Sequence, residues 1–101
     1  MHPSIAAALP EIVALSERLG IARLDLFGSA TGSAFDPRSS DVDVLVEFRP
    51  GATGTFDAYF ALKEGLEHIL ARPVDVVTAS SIRNPYFRER VEHEREQLYA
   101  A

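Results

Sequence analysis

Asp41 and Asp43 stand two apart in the run SDVDVLVEF. The run alternates like a strand, so both carboxylates leave one face, about 7 Å apart along the chain. At a carboxylate separation of about 5 Å and an effective dielectric of about 20, they repel by roughly 3 kcal/mol. Solvent, protonation of one acid, an arginine or a divalent cation must offset that repulsion. A third acid, Asp75, sits in RPVDVVT between Val74, Val76 and Val77, a second apolar run. Three carboxylates at the ends of neighbouring strands form an oxygen-rich set suited to Mg²⁺ or Mn²⁺, which keep waters and bridge to phosphates. Upstream, Gly28 allows close backbone approach and Ser29 offers a hydroxyl and an amide, a pair suited to an anion. The chemistry these groups could do together is cation-assisted phosphoryl transfer: activation of an attacking hydroxyl and neutralisation of a triphosphate.

Each residue also has a plainer reading. An isolated DxD triplet is most often a strand edge showing two acids to water. Ser29 alone reads as a helix cap or turn residue, and Gly28 alone as a turn. Asp75 alone reads as a structural acid paired with Arg23 or Arg72. The functional reading rests on their combination and order.

The elements that must position these groups follow from the apolar spacing. Ile5, Leu9, Ile12, Val13, Leu15 and Leu19 recur with a helical period up to the stop at Gly20, with a bend or restart at Pro10. IARLDLFG is a short strand turning inward Ile21, Leu24 and Leu26 and ending at Gly28. SDVDVLVEF is a strand with Val42, Val44, Val46 and Phe48 on one face and Asp41, Asp43, Leu45 and Glu47 on the other. After the loop RPGATGT, Phe56, Tyr59, Phe60, Leu62, Leu66, Ile69 and Leu70 mark a helix with Thr55 as its N-cap. RPVDVVTA is a third strand, and the charged segment through RERVEHEREQ is a last helix, capped near Ser80 or broken at Pro85. Alternating elements of this kind predict an α/β (α+β) domain, a small mixed three- to four-stranded sheet covered by helices.

Composition bounds the rest. The 101 residues fit one domain with one core, spanning 1–101. Cysteine is absent, which excludes disulfides, thiolate metal sites and cysteine nucleophiles. His2, His68 and His93 are far apart with no ligand spacing between them. No signal peptide and no apolar run approaching the ~20 residues of a membrane span is present, so the expectation is a cytoplasmic protein with no membrane association. Ten Lys and Arg against 15 Asp and Glu give a net charge of −5. That field opposes polyanions, so no nucleic acid is expected as a direct partner, while a nucleotide carried with a divalent cation is compatible.

Gly28-Ser29, then Asp41-Val42-Asp43 after eleven residues, then Asp75 on a later strand resembles the polymerase-beta-type nucleotidyltransferase superfamily. The short chain and the phrasing LFGS…SDVDVLVEF are most similar to its minimal nucleotidyltransferases, the antitoxin partners of HEPN ribonuclease toxins, over nearly the whole chain. The resemblance implies a nucleotidyltransferase-like single lobe that transfers AMP from ATP, with Mg²⁺ (or Mn²⁺), to a hydroxyl of the toxin, typically a tyrosine, in a hetero-oligomer. Carried onto this sequence, it makes Asp41 and Asp43 metal ligands and Asp75 a further ligand and base. Gly28, Ser29 and Ser40 become the nucleotide-binding residues. Where many relatives carry arginines directly after the Gly-Ser, this chain has Ala30, Thr31 and Gly32, with Arg38 further along the same loop. Two alternatives stand beside this reading: an antitoxin that neutralises its toxin by binding alone, and a nucleotidyltransferase acting on a small molecule.

Overall fold

A computed structural model describes residues 1–31 and 41–101, apart from the side chains of Ser29 and Ala30. In chain order the elements are α1 (Pro3–Ala6), α2 (Leu9–Arg18), β1 (Ile21–Phe27), a 3₁₀ turn (Gly28–Thr31), β2 (Val42–Phe48), α3 (Thr55–Leu70), β3 (Val74–Thr78), a second 3₁₀ turn (Ala79–Ser81), α4 (Pro85–Glu94) and β4 (Glu96–Ala100). The sheet order is β3-β2-β1-β4. β1 lies antiparallel to both neighbours, whereas β2 and β3 run parallel, with α3 as the crossover that parallel neighbours require.

The first helical stretch restarts as its proline dictates: α1 ends at Ala6 and α2 begins at Leu9 with Pro10 in its first turn, where no backbone donor is missed. Gly20 then takes φ +68, the left-handed turn that separates α2 from β1. Thr55 is the first residue of α3 rather than its cap; Gly54, at φ +69, holds the capping position without a side-chain hydrogen bond. Asn84 caps α4, its Oδ1 accepting from the amides of Tyr86 at 2.9 Å and Phe87 at 3.2 Å, and Pro85 opens the helix.

One sheet face carries the main core. Val42, Val44 and Val46 pack there with Leu24, Leu26 and Val74 under Ile12, Leu62 and Leu66 of α2 and α3. β1 reaches this face through Ile21 and then Leu24 because its pairing with β2 slips between Ile21 and Arg23. The two helices meet closely: a methyl group on Gly65 would stand 2.7 Å from Leu15 Cδ2. The outer edge of β3 is clipped by α3. Tyr59 Oη donates to the Val76 carbonyl at 2.9 Å, Lys63 Nζ to the Val74 carbonyl at 2.6 Å, and the Val74 amide donates to Glu67 at 3.0 Å. These contacts occupy backbone groups that an edge strand otherwise leaves open.

The second face holds a smaller cluster of Phe27, Leu45, Ile82 and Val91. The last helix stops at Glu94, short of where its charge pattern suggested, and the chain returns as β4 beside β1. Two forces account for this. β1 is a buried strand whose second edge needs a backbone partner, and Arg95 leaves the helix to pair with Asp25, Glu47 and Glu92. Asp25 is fully buried in β1 and is held by Arg95 and by Arg23 at 2.9 Å.

Candidate active site

Asp43 lies on this second face, near the start of β2. In β2–β3 it sits directly beside Asp75, and in β1–β2 it sits opposite Phe27. Asp41, just before β2, is exposed and two residues away, so it shares the face of Asp43. The register therefore brings the three aspartates to one end of one face. Asp75 is exposed rather than buried within its apolar strand. Among the described residues the buried acid is instead Asp25, paired with Arg23 and Arg95.

Gly28 follows Phe27 and closes the same corner. It has φ +74, and a methyl group in place of its Hα would fall 2.6 Å from Asp43 Oδ2. Glycine is thus required twice, by backbone conformation and by the space the carboxylate fills. The amide of Gly28 donates to Glu94 Oε2 at 3.1 Å, and the Thr31 hydroxyl donates back to the Gly28 carbonyl at 2.8 Å, tightening the 3₁₀ turn. Glu94 pairs through its other oxygen with Arg90 Nε at 3.3 Å. The side chain of Ser29 lies outside the described residues, as do Ser40 and Arg38, which fall within 32–40.

The carboxyl of Asp43 is pushed above its ordinary 3.8, first by burial, then by the charges of Asp75 and Asp41 and a hydrogen bond with Asp75, while Arg90 pulls it down. Negative charge is in excess here, and a cation relieves it. The donors are hard oxygens, the chemistry that Mg²⁺ selects. Among the described residues no three His, Cys, Asp or Glu side chains are already drawn together at a metal ion's reach. The backbone thus aligns the aspartates while their side chains are not closed into a cage. Sequence reasoning missed Arg90 and Glu94, because the contact of Glu94 with Gly28 spans 66 positions and leaves no local pattern. Asp25 did leave one: a charge inside LDLF, on the face of a strand it shares with Phe27.

Hard oxygen donors at a strand end, set against a glycine turn, suit a phosphoryl group carried with a divalent cation. The chain belongs to the nucleotidyltransferase domain family, whose model matches residues 12–98. It is 37% identical, over 79% of both chains, to a Methanocaldococcus jannaschii protein named "Putative protein adenylyltransferase". It superposes on a solved "putative minimal nucleotidyltransferase" with a TM-score of 0.74 at 32% identity, covering 91% of this chain and 90% of the other. The same fold occurs in a complex of a tri-AMPylated Shewanella oneidensis HEPN toxin with an MNT antitoxin, at a TM-score of 0.65 and 20% identity, covering 95% of this chain and 72% of that one. No helix among the described residues is long and apolar enough to cross a membrane.

Proposed function

We propose that this chain is a single nucleotidyltransferase domain over residues 1–101, acting in the cytoplasm as an antitoxin that moves AMP from ATP onto a hydroxyl of a HEPN-type toxin, a tyrosine above all. The observation that carries this reading is the in-register pairing of Asp43 with Asp75 beside Gly28. The name of the 37% identical relative supports adenylyl transfer, and the fold shared with an MNT antitoxin supports the partner.

In this reading Gly28 and Ser29, with Ser40, hold the triphosphate, and the close approach at Gly28 sets it against Asp43. Asp41, Asp43 and Asp75 would hold Mg²⁺, which supplies charge neutralisation on the phosphates and acidifies the attacking hydroxyl. Asp75 is exposed at the edge of the site and accepts the proton of the incoming hydroxyl. That oxygen forms a bond to the α-phosphorus as the bond from the α-phosphorus to the bridging oxygen of the β-phosphate breaks. The electron pair of the broken bond leaves on pyrophosphate, and the toxin keeps AMP as a phosphodiester.

A second reading, neutralisation by binding alone, is favoured by one observation: the acidic side chains are not yet gathered at metal distance. Intact-mass spectrometry of the toxin encoded beside this protein, after incubation with ATP and Mg²⁺, separates the two. We expect the toxin to gain whole AMP units with the native chain and none with Asp43→Asn. A stable complex with no gain in mass overturns the transfer and leaves the binder.

A further inference from the structure

The carboxylate of Glu94, half-buried at the end of α4, is gripped on both oxygens. One oxygen accepts the Gly28 amide at 3.1 Å and the other faces the Arg90 guanidinium at 3.3 Å. A backbone N–H and a guanidinium converging on one planar anion form the donor set that holds a phosphoryl group. The anion in that set is the chain's own. We propose that Arg90 is a triphosphate-contacting residue of this site and that Glu94 is its displaceable placeholder, occupying the Gly28 amide and Arg90 until a phosphate oxygen takes its position.

Three observations support the assignment, which rests on the adenylyl-transfer reading above. The place is right: the missing side chain of Gly28 points at Asp43 Oδ2, so an anion exchanged for Glu94 at the Gly28 amide arrives beside Asp43. The pair is loosely held: the Arg90 side chain is 68% exposed and its link to Glu94 is an i,i+4 surface pair, of a kind that contributes little. The charge is right: of the charged groups among the described residues that act on Asp43, Asp75 and Asp41 are anionic and Arg90 is cationic. Glu94 in place puts a negative charge at the Gly28 amide and repels an incoming polyphosphate. Its departure removes that charge and frees two donors together.

The test measures equilibrium binding of Mg²⁺–ATP and, separately, of inorganic tripolyphosphate with Mg²⁺, together with AMP transfer and thermal melting. Losing a charge-assisted contact weakens binding about tenfold to hundredfold. Arg90→Ala is expected to lose that much for both ligands, with Arg90→Lys recovering part of it. Glu94→Ala is expected to bind both more tightly than the native chain while melting lower, having lost its clamp on the 3₁₀ turn. Native binding by Arg90→Ala overturns the assignment. So does a loss confined to ATP, which puts Arg90 on the adenosine. Weaker binding by Glu94→Ala overturns the placeholder role and makes Glu94 a structural clamp. A native chain that binds neither ligand and transfers nothing refutes the adenylyl-transfer reading itself. A native chain that binds and transfers beside an unaffected Arg90→Ala refutes this inference alone.

Discussion

At the scale of single residues, the site spends stability to hold charge. Asp43 has its carboxyl raised above 3.8 by burial and by two neighbouring acids. A raised folded-state value means the folded chain binds a proton more tightly than the unfolded chain. Its stabilising effect is therefore present below pH 3.8 and lost as pH rises through the raised value. Without divalent cation, the native chain is expected to lose stability over that rise, and Asp43→Asn to melt higher than native at neutral pH. Added Mg²⁺ is expected to raise the melting temperature of the native chain and leave that of Asp43→Asn nearly unmoved. Thermal melts with EDTA and with Mg²⁺ check this, and equal responses of the two proteins would remove Asp43 from the proposed metal site.

At the scale of elements, the second sheet face is organised around Asp25. It is fully buried and binds Arg23 from its own strand and Arg95 from the junction between α4 and β4. Arg95 also reaches Glu47 on β2 at 3.2 Å and Glu92 on α4 at 2.7 Å. This network fixes where α4 ends, and Glu94, the last residue of α4, meets Gly28 as a result. Removing one member of a buried pair strands the other charge and costs about 3–5 kcal/mol. Asp25→Ala is expected to lower unfolding free energy in urea by about 3 kcal/mol or more, and Arg95→Ala by a comparable amount. Change within about 0.5 kcal/mol for both would reduce the network to surface decoration.

At the scale of the whole molecule, most of the architecture was legible because it is periodic. The valines of β2, the helical spacing of α3 and the break at Pro10 are local signals, and the acids and Gly28 fell where local spacing put them. The end of the chain was not legible in the same way. The charged helical pattern runs on past Glu94, and what turns residues 96–100 into β4 is non-local: the open edge of β1 and the pull of Asp25 on Arg95. Leu98 is 6% exposed within the main core. Leu98→Ala is therefore expected to destabilise the fold by about 2–4 kcal/mol, measured by urea denaturation. A change no larger than a surface substitution would show that β4 is dispensable to the core.

The rung that joins Asp43 to Asp75 also bears on how the sheet assembles. In β2 and β3 the acids alternate with valines that fill the main core, Val42 beside Val74 and Val44 beside Val76. A slip of either strand by one residue would turn its acid into hydrocarbon and its valines into water. Misaligned sheets are thus disfavoured by the same carboxylates that the proposed transfer would use, and during folding that pair acts as a proofreader of strand alignment before any substrate arrives.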